Sequence, residues 1–130
     1  MRGNTQLTEA EMKVIQLLWE ASPRTMRELT QALESETHWT KHTVITLLKR
    51  MQQKGTVHVH EGGAVKTYSP AVEKNQVAQE QTETILSRMF SGKASLLVNN
   101  LVERGRVPDD EIQEMMEILK KYKNERRENL

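Results

Sequence analysis

One helical segment, residues 39–54, constrains both the fold and the function of this chain. Its apolar residues are Val44, Leu47, Leu48 and Met51. Their i, i+3, i+4, i+7 spacing makes one buried stripe of an α-helix. The opposite face has no acidic residue and consists of His42, Thr43, Thr46, Lys49, Arg50 and Gln53. An apolar back and a small, basic front suit a helix that enters a DNA major groove, although an ordinary surface helix with a solvated face has the same pattern.

The ends of this helix can also be predicted from the sequence. The Thr40 hydroxyl can accept a hydrogen bond from the free amides of the first turn. Trp39 and Val44 have the spacing of a hydrophobic staple across that cap. Gly55 can adopt the left-handed conformation that commonly ends a helix. The segment therefore predicts a helix that begins after Thr40 and stops at Gly55.

Two shorter helices are predicted before this one. Thr8 with Glu11 has the spacing of a capping box, and Thr25 with Glu28 repeats it. Apolar residues follow each box at helical spacing. Residues 34–38 are polar and are predicted to link the second helix to the third. Three short helices with a polar-faced third helix predict a helix-turn-helix.

A β-hairpin is predicted after the third helix. Residues 56–61 alternate valine with histidine, and residues 64–69 are predicted to return as a second strand. Between them, Gly62 and Gly63 are predicted to form a two-residue hairpin loop. Three helices followed by a hairpin is the order of elements in a winged helix. Lys66 would lie on the wing, within reach of a phosphate.

The chain from residue 71 onward shows only helical patterns. They predict a long helix that Gly92 ends, a short helix, and a third helix that begins at Pro108, before a polar tail at residues 123–130 that is predicted to fray. Three such helices can bury little apolar surface alone. A second copy of the chain is therefore expected to cover them. The predicted dimer interface consists of Ile85, Met89, Leu97, Leu101, Ile112, Met115, Met116 and Leu119.

The predicted fold is mainly α with a small β-hairpin wing. An N-terminal winged helix-turn-helix domain would occupy residues 1–70 and bind DNA. A C-terminal region of three helices would occupy residues 71–130 and hold a homodimer together.

Composition excludes several other classes of protein. The net charge of +1 excludes a uniformly basic nucleic-acid coat but allows a local basic patch. The chain has no cysteine, so it has no disulfide, no thiolate metal site and no cysteine nucleophile. No apolar run approaches the roughly 20 residues of a membrane span, and no signal-peptide core is present. We expect a cytoplasmic protein that does not bind a membrane directly.

Enzymatic and metal-binding functions have weak support in the sequence. Gly62 and Gly63 fit a hairpin turn and not a strand-to-helix phosphate loop, and no Ser/His/Asp or metal-histidine spacing occurs. His58 and His60 have the i, i+2 spacing of two metal ligands on a strand, but such a pair is more often the solvated side of a hairpin. We predict neither catalysis nor a metal or other cofactor. A winged helix that contacts only other proteins is the remaining alternative.

Several segments together resemble the penicillinase-repressor family of winged-helix repressors, the class of BlaI, MecI and CopY. The specific matches are residues 7–19, 43–55 and 57–70, and weaker ones are residues 85–103 and 109–121. The resemblance implies that the N-terminal winged helix binds DNA and that the C-terminal helices form a dimer. It also implies that the dimer blocks transcription from a palindromic operator, with half-sites of the TACA/TGTA type.

The resemblance suggests two kinds of inducing signal. The copper-responsive branch ends in a cysteine-rich metal motif, which this chain lacks. The β-lactam-responsive branch is inactivated when a bond between asparagine and phenylalanine is cut, and the matching pair here is Asn100 and Leu101. The resemblance therefore implies a candidate cleavage site at Asn100–Leu101, with a membrane sensor protease as a partner. A metal- or ligand-responsive repressor of the same fold is the alternative.

Individual roles can be assigned to the DNA-binding residues. Thr43, Thr46 and Arg50 are predicted to enter the groove, since arginine can contact guanine through two hydrogen bonds and a threonine methyl can pack on the thymine methyl. The residues predicted to hold phosphates, which position a protein without reading sequence, are Lys41, His42, Lys49 and Lys66.

Overall fold

Six helices and a small sheet make up the protein in a computed structural model, which describes residues 6–129. The elements are α1 (Glu9–Glu20), β1 (Arg24–Thr25), α2 (Met26–Thr37), α3 (Lys41–Lys54), β2 (Val57–His60), β3 (Thr67–Pro70), α4 (Lys74–Met89), α5 (Ala94–Glu103) and α6 (Asp109–Glu128). The mainly helical fold with a β-hairpin after the third helix is confirmed.

Side-chain caps begin the first three helices as predicted. Both capping boxes are present, one joining Thr8 with Glu11 and the other joining Thr25 with Glu28. The Thr40 hydroxyl accepts from the Thr43 amide at 3.3 Å and begins α3. Gly55 ends α3 with φ of 84°. These ends were predictable because each depends on residues within three positions of one another.

Helix α2 is longer than the sequence analysis predicted. Residues 34–37 belong to the helix and are not a linker, so that prediction is wrong. The Thr37 hydroxyl donates to the Leu33 carbonyl at 2.8 Å, and Glu36 pairs with Lys13 of α1. His38 alone makes the turn, with φ of 57°. Contacts with a neighbouring helix thus hold a last turn whose composition looks like a loop.

The sheet has three strands, in the order β1-β3-β2, and both pairings are antiparallel. Strand β1 was not predicted from the sequence. It has only two residues, and it pairs Arg24 with Tyr68 and Thr25 with Thr67. So short a strand has no periodicity of its own and is defined by its partner.

The hairpin loop also differs from the prediction. Residues 61–66 connect β2 to β3, so the predicted two-residue loop at Gly62–Gly63 is wrong. The observed register pairs Val59 with Tyr68, and Tyr68 packs against the core. A two-residue loop would instead place Lys66 opposite Val59, on the face that packs against the core, because residues paired across an antiparallel ladder share a face. The longer loop keeps that ammonium group in water.

The hydrophobic core joins the first three helices, the sheet and the start of α4. Its buried apolar residues are Leu7, Val14, Ile15, Leu18, Leu29, Leu33, Val44, Leu47, Leu48, Met51, Val57 and Val77. Trp19 and Trp39 are half-buried against it, and the Trp19 indole donates to the Val72 carbonyl at 3.0 Å. This core belongs to a compact unit that ends at Thr82, and a second unit begins at Glu83. The predicted functional boundary after residue 70 stays a prediction.

The second unit contains the end of α4 together with α5 and α6, and neither α5 nor α6 contains a buried residue. Helix α6 continues to Glu128, so the predicted frayed tail is wrong for residues 123–128, while Leu130 lies outside the described residues. The guanidinium of Arg126 lies 5.4 Å from the centre of the Tyr122 ring, one turn earlier. Acidic residues in the first turn and arginines in the last turn also favour this helix through its dipole. None of the helices in the described chain has the length and apolarity that a membrane crossing requires.

Candidate nucleic-acid interface

Helix α3 divides into a buried and an exposed face along the predicted line. Val44, Leu47, Leu48 and Met51 are all buried. On the opposite face, Thr43 is half-buried, and the exposed residues are His42, Thr46, Lys49, Arg50 and Gln53. The buried stripe fixes α3 to the core, so its polar face is presented to solvent by a rigid support.

Most of the polar groups on this face are available to a ligand. Lys41, His42, Lys49 and Arg50 make no side-chain hydrogen bond or ion pair with any residue in the described part of the chain. Together with the lack of acidic residues on α3, this leaves an uncompensated positive surface. Phosphate oxygens are the natural partners of such a surface.

The threonines of α3 have their hydroxyl groups partly engaged. Thr46 donates to the His42 carbonyl at 3.0 Å, and the Thr43 and Thr40 hydroxyl oxygens lie 3.3 Å apart. The hydroxyl of Thr46 is therefore used within the helix. Its methyl group suits contact with the methyl group of thymine, which was the predicted role.

A groove between α2 and α3 adds residues that the sequence analysis missed. It has a volume of about 360 Å³ and is lined by Arg27, Thr30, Gln31 and Lys41. Arg27 and Gln31 are exposed and lie one turn apart on α2. Their i, i+4 spacing was visible in the sequence, but the crossing of α2 over α3, which brings them beside Lys41, was not.

The wing carries a lysine and two exposed histidines. Lys66 lies in the hairpin loop, and its ammonium nitrogen is 3.3 Å from Oε1 of Glu61. The rings of His58 and His60 have centres 6.5 Å apart, and Nε2 of His60 shares a hydrogen bond of 2.9 Å with the Ser69 hydroxyl. Residues 6–129 contain no group of three or more His, Cys, Asp or Glu that could hold a metal ion.

The other predicted site residues lie in the second half of the chain. Asn100 and Leu101 are exposed on α5. Gly92 and Gly105 flank that helix with φ of 77° and 67°. Of the predicted interface residues, Leu97, Ile112 and Met115 are half-buried, and the exposed ones are Ile85, Met89, Leu101, Met116 and Leu119.

Comparison with known proteins identifies the family. A sequence model of the penicillinase repressor family matches residues 7–121. The chain belongs to the penicillinase repressor family. This confirms the resemblance inferred from the sequence segments, and a family of transcriptional repressors is not a class of enzymes.

Individual members of the penicillinase repressor family match over most of their length. The penicillinase repressor of Bacillus licheniformis is 27% identical over 98% of this chain and 100% of its own length. The methicillin resistance regulatory protein MecI of Staphylococcus aureus strain N315 is 23% identical over 89% of this chain and 94% of its own. The solution structure of the DNA-binding domain of the repressor BlaI is 28% identical, with a TM-score of 0.51, and covers 57% of this chain and 90% of that domain.

Proposed function

We propose that this protein represses transcription as a homodimer bound to a palindromic DNA operator. The observation that carries the proposal is the outward face of α3, which has no acidic residue and presents cations that no described side chain neutralises. The likeness of the winged helix to the DNA-binding domain of BlaI supports it.

The proposal divides the interface into residues that read bases and residues that hold the backbone. Thr43, Thr46 and Arg50 are the base-reading residues, with Arg50 able to make two parallel hydrogen bonds to guanine. Lys41, His42, Lys49 and Lys66 would hold phosphates, and we add Arg27 because it lines the same groove as Lys41. Phosphate contacts fix the register of the helix, and the base contacts supply specificity.

Exposed apolar surface in the second unit supports the homodimer. Large apolar side chains of α5 and α6 are more than two-fifths exposed, among them Leu101 at 43%, Met116 at 47% and Leu119 at 65%. Surface of this kind is costly to leave in water. A second copy that covers it with the same surface forms a closed, two-fold symmetric pair, which matches the symmetry of a palindrome.

The charges of α6 favour one orientation of that pair. Its first half carries Asp109, Asp110, Glu111, Glu114 and Glu117 without a basic residue, and its second half carries Lys120, Lys121, Lys123, Arg126 and Arg127 with only two glutamates. Two copies of α6 side by side in the same direction would place like charges together. We therefore propose that the two copies of α6 pack antiparallel, with Glu111 near the partner's Arg126.

Release of the operator is the second part of the proposal. Asn100 and Leu101 are exposed and lie in a helix flanked by two glycines in the left-handed conformation, which supports local opening to a protease. A cut there would separate α6 from the rest of each subunit and weaken the dimer. A membrane sensor protease would deliver this signal to a repressor that acts in the cytoplasm, where bacterial operators lie. A metal or small ligand that acts on the same fold is the alternative signal.

Selection of bound sites from a random DNA pool tests the repressor function. We expect two-fold symmetric sites with TACA/TGTA half-sites, whose centres lie about one helical turn or a small multiple apart. Protein that shows no preference for any palindrome over bulk DNA at moderate salt would refute the proposal. Such a result would favour a winged helix that contacts only proteins.

The release mechanism needs a separate experiment. The protein is expressed with the sensor encoded beside it, the inducer is applied, and fragments are mapped by mass. We expect fragments that end at Asn100 and begin at Leu101. Derepression by full-length protein would exclude cleavage and leave a ligand or a partner as the signal.

A further inference from the structure

Lys54, the last residue of α3, has a different environment from the other basic residues of that helix. Its ammonium nitrogen lies 2.7 Å from Oε1 of Glu11 in α1 and 3.3 Å from the backbone carbonyl oxygen of Gln6. The Lys54 side chain is 22% exposed, and the Glu11 side chain is completely buried. Two of the three ammonium hydrogens are thus directed into the protein.

The remaining basic residues of α3 are directed outward. Lys41, Lys49 and Arg50 are exposed, and their side chains pair with nothing in the described ranges. A residue that holds a phosphate must offer its charge to the solvent before DNA arrives. Lys54 has already committed its charge to a carboxylate, so α3 has two classes of cation.

Glu11 cannot easily release Lys54. Its Oε1 also accepts from the Thr8 amide at 2.9 Å in the capping box that begins α1. Its second carboxylate oxygen, Oε2, is buried and has no hydrogen-bond partner among the residues that the structure describes. Without Lys54, the interior would hold a carboxylate with no compensating charge, which is strongly unfavourable. The pair therefore resists any movement of the end of α3 away from α1.

The beginning of the wing is attached to the same end of α3. Thr56 is fully buried, and both its amide and its hydroxyl donate to the Met51 carbonyl, at 2.9 Å and 3.0 Å. A tilt of this end of α3 would move the base of β2 with it. One buried ion pair thus controls the position of both DNA-contacting elements.

We infer that Glu11 and Lys54 are positioning residues that fix the C-terminal end of α3, so that Lys54 serves the fit of α3 to its operator and does not contact a phosphate. This inference rests on the proposed DNA-binding function. A tilt of α3 would misplace Thr46 and Arg50 relative to the base edges and leave the flexible lysines of the surface still able to reach the backbone. Specificity should therefore suffer more than electrostatic attraction.

The test compares Lys54→Met with Lys49→Met in the full-length protein. Affinity is measured for the selected palindrome and for an unrelated duplex over a series of salt concentrations. For Lys49→Met we expect weaker binding to both duplexes and a salt slope reduced by about 0.9, the value for one lost phosphate contact. For Lys54→Met we expect an unchanged slope and a preference for the palindrome reduced by about tenfold, the effect of about one lost base contact. A reduced slope with unchanged preference for Lys54→Met would overturn the inference.

Two further variants guard against loss of folding. Glu11→Gln with Lys54→Met removes both charges, which buried ion pairs often tolerate, and its preference for the palindrome should be no lower than that of either single variant. Strictly additive losses in the double variant would show that the two residues do not act as a pair. Lys54→Arg, which can restore the pair, should recover most of the preference. Unmodified protein that fails to prefer the palindrome would refute the proposed function instead, and is therefore measured first.

Discussion

Arg50 is the single side chain on which sequence reading by this protein most depends. It is exposed, its guanidinium has no partner within residues 6–129, and it lies one turn from Thr46 on the face of α3 opposite the core. Its position on the helix was predictable from the spacing of Val44, Leu47 and Met51 alone. Arg27 was not predictable as a neighbour of this face, because its place depends on how α2 crosses α3.

Replacement of Arg50 with alanine should weaken binding to the operator by about 1–3 kcal/mol. The loss should fall on the operator and much less on unrelated DNA, because a base contact distinguishes sequences and a phosphate contact does not. Lys49→Ala is the matched control and should weaken binding to all sequences alike. Titration of both variants with the operator and with a scrambled duplex measures the difference, and equal losses on the two duplexes would remove Arg50 from the base-reading group.

Glu11 should make the stability of the winged helix depend on acid. Burial raises the pKa of this carboxyl, but hydrogen bonds from Lys54 and Thr8 and the charge of Lys54 outweigh it, so the pKa lies below its ordinary value of 4.5. A lowered pKa in the folded state stabilises the fold above the pKa of the unfolded chain, and this contribution disappears as the pH falls through the folded value. Urea unfolding of the unmodified protein should therefore show a steeper loss of stability below about pH 4 than Glu11→Gln shows. Parallel curves for the two proteins would contradict this.

At the scale of helices and strands, prediction succeeded where the cause is local. Capping boxes, the Thr40 cap and the Gly55 stop need only neighbouring residues, and all of them were predicted correctly. The end of α2, strand β1 and the hairpin loop were missed because each depends on a distant partner: Lys13 for Glu36, and Tyr68 for both Arg24 and Val59. Pairing across the sheet decides register, and no short window of sequence contains it.

Two glycines provide a matched test of the element ends. Gly55 has φ of 84°, whereas Gly62 has no positive φ, and an added Cβ would meet no atom within 4 Å at either position. Gly55→Ala should therefore cost about 1 kcal/mol of stability through backbone strain alone. Gly62→Ala should change stability little, although it would be costly in a two-residue hairpin turn. Urea unfolding measures both, and a similar cost at the two positions would contradict the long hairpin loop.

At the scale of the whole molecule, the two compact units differ in how they are stabilised. The unit that ends at Thr82 has a closed core of buried aliphatic residues. The unit that begins at Glu83 leaves most of its large apolar side chains exposed, including Met89 at 71% and Ile118 at 59%. The first unit could be predicted from one sequence because its core is internal. The partner that covers the second unit is only implied by its unburied surface.

Exchange of charges between the two ends of α6 should test the orientation of the dimer. Glu111→Arg and Arg126→Glu should each weaken dimerisation, by about 1 kcal/mol for two partly exposed pairs, because each places like charges together in an antiparallel pair. The double variant restores opposite charges and should recover the affinity of the unmodified protein. Sedimentation equilibrium measures the dissociation constants, and a double variant weaker than both single ones would exclude the antiparallel arrangement.

A cell that makes few copies of this protein would contain few complete operator-binding units, since no residue of α5 or α6 is buried within a single subunit. While monomers predominate, the concentration of a dimer follows the square of the subunit concentration, so a halved supply leaves about one quarter of the dimer. Operator occupancy then falls more steeply than protein abundance. Dilution through cell growth, or a modest change in synthesis, would open the regulated genes over a narrow range of repressor dosage.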